Sequence, residues 1–158
     1  MEMTGEQLIP LSREATWSAL NDTEILKACI PGCETIEQIS DTEYQLTMTA
    51  RVGPVNAKFK GKMTLSDIDP PRAYTLVFEG QGGIAGFARG QADVQLSPEA
   101  EGTRLGYAVK AMIGGKLAQV GSRLIDGVAK KLAEQFFTAF NANASANIEP
   151  PVNADERR

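Results

Sequence analysis

The strongest constraint in this sequence is a hydrophobic period that changes along the chain. Between Thr35 and Ile113 apolar residues alternate with polar ones, which is typical of strands that bury one face. From about residue 117 to 142 the apolar residues recur every three to four positions, which predicts an amphipathic helix about 40 Å long. Such a helix must cover the apolar face of the sheet. The sequence therefore predicts an α+β fold with a curved, seven-stranded antiparallel sheet under one long C-terminal helix.

Two short helices and the turns complete the predicted fold. Pro10 ends a first strand, and Ser12 is typical of the N-cap of a short helix that runs to Leu20. A second short helix follows from Thr23 to Cys29. The later strands are predicted at 35–39, 44–52, 55–65, 74–79, 87–96 and 105–113, separated by turn sequences such as VGP, DPP and SPEAEGT. We predict one domain over residues 1–143 and a disordered polar tail over residues 144–158.

Composition argues against several classes of function. The chain has no histidine, which removes the commonest general base and metal ligand, and its net charge of −4 argues against a general nucleic-acid binder. We identify no secretion signal and no apolar run long enough to cross a membrane, so a cytoplasmic protein is expected. We expect a structural or incidental role for Cys29 and Cys33, ahead of a redox or metal-binding role. We predict no catalytic residue, no metal site and no intrinsic cofactor.

The segment GQGGIAGFARG, residues 80–90, raises the question of nucleotide binding. Gly80, Gly82 and Ala85 fit GxGxxA, a permitted form of the dinucleotide fingerprint. The fingerprint requires a helix after the glycine turn, whereas the alternation that begins at Phe87 predicts a strand. Nucleotide binding by this loop is therefore not expected. Its glycines serve either a bulged hairpin that needs positive φ or a movable gate.

The glycine-bearing loops are predicted to share one end of the sheet. Successive loops of a meander lie at alternate ends, so VGP, GQGGIAG and IGGK lie together, with CIPGC beside them. Gly121, on the apolar helix face near this end, indicates either close helix–sheet packing or room for a ligand. The lysines of KFKGK form either a solvated face or a docking surface for a partner or an anionic membrane. The predicted mouth consists of Cys29, Ile30, Pro31, Gly32, Gly53, Pro54, Gly82, Gly83, Ile84, Gly86, Phe87, Gly114 and Gly115.

Four ordered motifs resemble a known family. LKACIPGCE, RVGPVNAKFKGK, GQGGIAGFARG and GGKLAQVGSRLIDGVAKKLAEQFF are similar to motifs of the carbon monoxide dehydrogenase G-subunit family. That family belongs to the START-like, polyketide-cyclase-like helix-grip superfamily, and the resemblance covers about residues 1–141. It implies a deep apolar cavity, and a non-enzymatic accessory protein that links a molybdenum hydroxylase of the carbon monoxide dehydrogenase type to the cytoplasmic membrane. It further implies a bound isoprenoid quinone or other lipid, and it favours a functional mouth over a plain hairpin.

The predicted cavity walls combine inward strand positions with the apolar helix face. Tyr44 or Tyr107 can offer a hydroxyl to a quinone oxygen, and Trp17 belongs either to a cavity wall or to the core. The walls are Trp17, Tyr44, Leu46, Met48, Phe59, Met63, Phe78, Tyr107, Leu117, Val120, Gly121, Leu124 and Val128. Longer family members carry an apolar or amphipathic C-terminal segment, whereas this sequence ends in PPVNADERR, so we expect transient contact with the inner face of the membrane.

Two other functions compete with lipid binding. The first alternative is a protein-only assembly or recruitment factor for the hydroxylase, without a lipid ligand. The second is an enzyme of the cyclase or aromatase type. That enzyme would need titratable groups inside the cavity, and the inward strand positions are nearly all apolar, so it ranks last.

Overall fold

The computed structural model of the protein describes residues 1–148. Its elements follow the predicted order, and most strands extend further into the turns than the alternation indicated. Two 3₁₀ helices, Gly83–Ala85 and Gly115–Val120, lie in the glycine-bearing connections. The helices and strands are β1 (Glu2–Ile9), α1 (Arg13–Leu20), α2 (Thr23–Cys29), β2 (Cys33–Gln38), β3 (Glu43–Val52), β4 (Val55–Asp69), β5 (Ala73–Gln81), β6 (Phe87–Glu99), β7 (Gly102–Gly114) and α3 (Ser122–Ile148).

The seven strands form one antiparallel sheet, which confirms the predicted fold class. The order across the sheet is β1-β7-β6-β5-β4-β3-β2, so β2 to β7 form a meander. β1 instead pairs with the last strand, placing Glu2 opposite Lys110 and Ile9 opposite Thr103. Reciprocal backbone hydrogen bonds between Met1 and Ala111 continue this pairing to the N-terminus. The two edges of the sheet are therefore β1 and β2.

The strand register arranges the inward side chains in rows across the sheet. Tyr44 on β3 lies opposite Met63 on β4, and Met63 lies opposite Phe78 on β5. The predicted alternation holds on β4, where the inward Phe59 is buried and the neighbouring Lys58 is exposed. The adjacent row crosses five strands through Leu65, Leu76, Ala92, Val109 and Met3.

Side-chain caps start the two short helices. Ser12 accepts a hydrogen bond from the backbone N–H of Ala15 at 3.1 Å, which confirms the predicted N-cap of α1. Asp22 accepts bonds from the N–H groups of Glu24 and Ile25 at the start of α2. These caps start two successive helices within a short length of chain. Both helices pack at one side of the space between the sheet and α3.

The long helix starts later and ends later than predicted. Residues 115–120 form a 3₁₀ helix, and Gly121 follows it with φ +97°, a conformation that an α-helix does not contain. α3 itself begins at Ser122. The prediction that Gly121 lies inside the helix is therefore wrong. At the other end α3 continues to Ile148, so residues 144–148 are helical, and the rest of the predicted tail lies outside the described residues.

Two apolar clusters make up the interior. The large cluster joins β1, α1, α2, the far ends of the strands and the second half of α3, and includes Ile9, Ala19, Leu105, Phe137 and Phe140. The loop cluster joins the start of α3 to the strand ends beside the glycine loops, and includes Val52, Phe59, Ala85, Leu117 and Ile125. Both clusters are sandwiched between the inward face of the sheet and the helices.

Candidate functional site

An apolar cavity of about 290 Å³ lies between the middle of the sheet and α3. Inward residues of β1 and β3 to β7 form its floor. Ala133, Phe136 and Phe137 of α3 form its roof. Leu26 on α2 and Ile30 just after it contribute to an end wall. The cavity therefore borders the large cluster and is separate from the loop cluster.

Aromatic contacts border the gap between α3 and the sheet. Tyr107 on β7 stacks on Phe137 of α3 with ring centroids 5.6 Å apart. Phe136 packs edge-on against Phe137 at 5.0 Å. On the sheet side, Trp17 of α1 meets Tyr74 edge-to-face at 5.3 Å. These rings are large and rigid, so they act as spacers that keep helix and sheet apart around the cavity.

Glycine at position 5 allows the Tyr107 ring to lie flat against the edge strand. A Cβ placed on Gly5 would overlap the hydroxyl and ring carbons of Tyr107. The two residues are register partners on β1 and β7. A side chain at this position would push the tyrosine off Phe137, so Gly5 maintains one wall of the cavity.

The polar side chains of the cavity lining are those of Asn21 and three tyrosines. The Asn21 amide donates to the backbone carbonyl of Trp17 at 2.8 Å, and the Tyr44 hydroxyl donates a long 3.5 Å bond to the backbone carbonyl of Asn21. Within residues 1–148, the hydroxyls of Tyr74 and Tyr107 make no hydrogen bond to another group. Two hydroxyl donors at the cavity are therefore unused by the protein itself.

Burial keeps these tyrosines protonated. It raises the pKa of Tyr44, and it raises the pKa of Tyr74 far above its ordinary value, with a smaller contribution from Tyr44 beside it. Burial and then the Glu134 carboxylate raise the pKa of Tyr107. No Lys, Arg, Asp or Glu side chain lines the cavity as described. The site therefore presents neutral O–H donors in an apolar space, which suits a ligand carbonyl better than an ion.

Three of the predicted wall residues line this cavity: Tyr44, Met63 and Tyr107. Trp17 packs behind Tyr74 as part of the large cluster. Leu46 is buried on β3 and Phe78 is half-buried on β5, both outside the lining. Gly121 and Leu124 are exposed at the start of α3. The remaining predicted walls pack in the loop cluster, namely Met48, Phe59, Leu117, Val120 and Val128.

The aromatic residues of the lining that the sequence analysis missed are Tyr74 on β5 and Phe136 and Phe137 on α3. Tyr74 and Leu76 share the strand face of Phe78, so alternation along β5 carried the signal for them. Phe136 lies on the apolar helix face that the hydrophobic period predicts, but it is absent from the predicted cavity walls. Phe137 lies outside that predicted helix face. Which inward residues meet a gap depends on where α3 crosses the sheet, and hydrophobic period does not encode that.

The glycine loops meet at one end of the sheet, as the meander argument indicated. Pro54, Gly82, Ile84 and Lys116 line one surface groove there. A Cβ on Gly86 would clash with the backbone carbonyl of Gly114, so these two loops touch through their main chains. Two further mouth residues pack against neighbouring groups: Gly53 lies under Leu124, and Gly32 abuts the Thr49 carbonyl. Gly83 and Gly115 have positive φ, and Phe87 begins β6.

These loops close over the loop cluster. Ala85 and Leu117, one from each 3₁₀ helix, are members of that cluster and are nearly inaccessible to solvent. The loop around Ile84 is also braced internally, because the N–H of Gly82 donates to the Gly86 carbonyl at 2.8 Å. Positive φ and main-chain contact account for the glycines, and movement of the loops as a gate stays a prediction.

The segment at the end of α2 borders the cavity and the large cluster. Pro31 is half-buried in the turn, Ile30 lines the cavity, and Cys29 is buried in the large cluster. Both cysteines are free thiols, and burial raises the pKa of each, with Lys27 opposing this for Cys33.

Among residues 1–148 no group of His, Cys, Asp and Glu side chains is arranged to hold a metal. In the same range no helix is long and apolar enough to span a bilayer.

Comparison with known proteins identifies the family. The model of the CoxG family, described as the G subunit of carbon monoxide dehydrogenase, matches residues 5–145. The chain belongs to this family. The family model covers β2 to β7, residues 5–9 of β1 and most of α3, so it includes the glycine loops and all of the cavity lining except Met3. The family is named for a subunit of carbon monoxide dehydrogenase, which associates the chain with that enzyme. No curated protein sequence matches the chain at a significant level.

Solved structures share the fold. A conserved protein from Geobacillus kaustophilus is 33% identical with a TM-score of 0.86, covering 92% of this chain and 96% of its own. A Thermus thermophilus protein is 16% identical with a TM-score of 0.70, covering 94% and 99%. The Zhui aromatase/cyclase from Streptomyces is 10% identical with a TM-score of 0.68, covering 94% and 95%. The last two likenesses concern the fold alone.

Proposed function

We propose that this CoxG family member is a non-enzymatic accessory protein that binds an isoprenoid quinone or a similar carbonyl-bearing lipid in the cavity. In this role it links a molybdenum hydroxylase of the carbon monoxide dehydrogenase type to the cytoplasmic face of the membrane. The observation that carries the proposal is an apolar cavity that contains unused tyrosine hydroxyls. Membership of a family named for a subunit of carbon monoxide dehydrogenase supports the choice of partner.

The volume of the cavity limits what it accommodates. At about 290 Å³ it is roughly twice the size of a dry cavity of about 150 Å³ that takes up benzene, and it lies near the lower limit of ligand pockets. A quinone ring with a short stretch of tail fits this space, whereas a long isoprenoid tail exceeds it. Burying about 200 Å² of apolar ligand surface would contribute about 5 kcal/mol. The remaining tail has to lie along another apolar surface.

Tyr74 is the favoured donor to a ligand carbonyl. Its ring is held by Trp17, its hydroxyl has no partner among the described residues, and its raised pKa keeps the proton in place. Tyr107 is the second donor of the same kind. A neutral hydrogen bond of this type contributes about 1 kcal/mol, so each donor adds selectivity for a carbonyl, and apolar burial provides most of the affinity.

The chemistry of the lining supports a binding role over catalysis. Its titratable groups are the three tyrosines, each with a pKa raised by burial. General acid–base catalysis near neutral pH needs a group whose pKa lies near the working pH. The Zhui aromatase/cyclase has a similar fold, so the fold alone does not distinguish binding from catalysis, and the preference for binding comes from the lining of this cavity.

The first experiment identifies what co-purifies with the protein. The full chain is expressed in a quinone-producing bacterium and extracted with organic solvent, and the lipids are analysed by mass spectrometry beside a control protein. We expect an isoprenoid quinone in stoichiometric amount. The absence of any enriched lipid, together with no uptake of added quinone, would overturn the proposal in favour of the protein-only recruitment factor.

A mutation series then ties binding to the cavity. The single tryptophan, Trp17, lies against Tyr74, so quenching of its fluorescence by a short-tailed quinone reports binding. Ala133→Phe fills the roof and should abolish saturable quenching, whereas Ala142→Phe, at an exposed position of the same helix, should bind like the wild type. Tyr74→Phe should weaken binding about fivefold to tenfold, the loss of one neutral hydrogen bond. Thermal melts check that each variant is folded.

The same variants test the link to the hydroxylase. If the cavity holds a lipid and another surface binds the enzyme, Ala133→Phe should retain hydroxylase binding while losing the quinone. Equal quenching of wild type, Ala133→Phe and Ala142→Phe would show that the quinone binds elsewhere and would refute the cavity as the site.

A further inference from the structure

One isoleucine projects from the glycine-loop end of the molecule. Ile84 is 90% exposed, the highest value for any large hydrophobic residue among those described. Its neighbour Ala85 is buried in the loop cluster. The turn is fixed by hydrogen bonds from the N–H of Ala85 to the Gly82 carbonyl and from the N–H of Gly86 to the Gly83 carbonyl, both 3.1 Å. The structure therefore presents Ile84 to solvent on a braced turn.

Further apolar surface lies beside this turn. The exposed ring of Pro54 lines the same groove as Ile84. Leu124, at the start of α3, is 39% exposed and covers Gly53. These three residues come from three different segments that meet at one end of the sheet. We call this surface, with the residues around it, the loop end.

Three basic residues lie at this end of the molecule. Lys116 lines the groove with Ile84, Arg51 lies opposite the groove residue Asn56, and Arg123 immediately precedes Leu124. None of these three cations forms an ion pair within residues 1–148. Asp126 is on the nearby part of α3, but it lines a different groove beside Met1 and Ile113.

The opposite end of the sheet has the reverse charge. Its three turns connect β2 to β3, β4 to β5 and β6 to β7, and the arginines there, Arg72 and Arg104, are already paired with carboxylates. The acidic residues in or next to these turns are Asp41, Glu43, Asp67, Asp69, Glu99 and Glu101. A chain of net charge −4 thus keeps unpaired cations at one end and collects carboxylates at the other.

We propose that the loop end docks on an anionic bilayer surface, with Ile84 inserted among the acyl chains and Lys116, Arg51 and Arg123 at the lipid phosphates. The inference rests on one part of the proposed function, the link to the cytoplasmic face of the membrane, and names the surface that would make that contact. Anionic lipid attracts the basic end and repels the acidic one, so the charge distribution orients the molecule. A single projecting side chain flanked by cations suits a fluid surface better than a protein interface, which needs about 800 Å² of complementary surface on each partner.

The test is flotation of the full chain with phosphatidylcholine vesicles, with and without phosphatidylglycerol. We expect binding that depends on the anionic lipid and weakens with salt. Ile84→Asp should reduce the bound fraction about tenfold or more, and Lys116→Glu should reduce it by a similar factor. Ile39→Asp and Ile68→Asp place the same substitution at exposed isoleucines beside the acidic turns and should leave binding unchanged.

Other outcomes would overturn the docking surface. These are equal binding to both kinds of vesicle, equal losses in all three aspartate variants, and no vesicle binding by the wild type. Loss of hydroxylase binding in Ile84→Asp, without any vesicle binding by the wild type, would assign the loop end to a protein partner instead.

Quinone binding in solution, measured without vesicles, separates this proposal from the preceding one. If Ile84→Asp binds quinone normally and only vesicle binding is lost, both proposals hold. If the wild type floats with anionic vesicles but takes up no quinone, the ligand proposal fails and the docking surface stands.

Discussion

The two apolar clusters differ in the size of the side chains that separate helix and sheet. In the loop cluster, small inward residues such as Ala50, Ala57 and Ala88 face the start of α3, and the interior there is closed by Ala85 and Leu117. In the large cluster, aromatic rings occupy the corresponding positions, and a cavity remains between them. One sheet and one helix therefore contain a packed region and an open region. The difference indicates that the cavity results from the spacing set by rigid side chains.

The comparison predicts a difference between two leucine truncations. Leu117→Ala empties a fully packed site in the loop cluster and should lower the free energy of unfolding by about 4 kcal/mol. Leu76→Ala should cost only about 2 kcal/mol, because Leu76 is half-buried and already borders the cavity. Equilibrium urea unfolding followed by Trp17 fluorescence measures both values. Equal losses would contradict the distinction between packed and open regions.

Glycine substitutions sharpen the same comparison at the loops. Gly86→Ala should lower the free energy of unfolding by about 3 kcal/mol, because φ is +110° and the added methyl would clash with the main chain of Gly114. Gly83→Ala is the matched control. Its φ is +63°, but its Cβ would meet nothing within 4 Å, so only about 1 kcal/mol of backbone strain is expected. Similar values for the two variants would mean that the loops yield easily, as a movable gate requires.

Alkaline pH should weaken the open region, because all three tyrosines line the cavity. Tyr74 ionises near pH 10 in the unfolded chain, whereas burial raises its pKa in the folded protein. Its protonated form therefore favours folding below pH 10, and stability falls as pH rises above 10, by about 1.4 kcal/mol per pH unit. Urea unfolding at a series of pH values measures this slope. In Tyr74→Phe the free energy of unfolding should fall less steeply with pH, by about that amount. An unchanged slope would mean that another group causes the pH dependence.

The sequence allowed the fold to be predicted in most respects. Alternation located the six strands from β2 to β7, Pro10 marked the end of β1, and the prolines and glycines of VGP and DPP marked turns between later strands. The meander argument placed the glycine loops at a common end because it depends only on counting strands. The strands proved longer than predicted, since hairpin pairing continues into polar ends such as Asp69 and Glu99, where the alternation has already faded.

The site was less accessible to sequence reasoning. Leu117 and Ile125 are both buried, as an uninterrupted helix would also place them, so the hydrophobic period did not reveal the break at Gly121. The hydrophobic period places Gly121 inside a helix. In the structure Gly121 has a positive φ and ends the 3₁₀ helix. The predicted walls consequently lay too close to the loops. Locating the cavity required the strand register and the crossing point of α3, which are properties of the tertiary structure.

The pairing of β1 with β7 has a consequence for synthesis of the chain on the ribosome. Glu2 and Lys110 are register partners, so 108 residues separate them along the chain. At translation rates of about 5–20 residues per second, β1 is synthesised roughly 5 to 20 s before its partner strand β7. The meander from β2 to β7 can assemble strand by strand during this time. The nascent chain therefore exposes an unpaired edge on each new strand, and the sheet is completed only after β7 has left the ribosome.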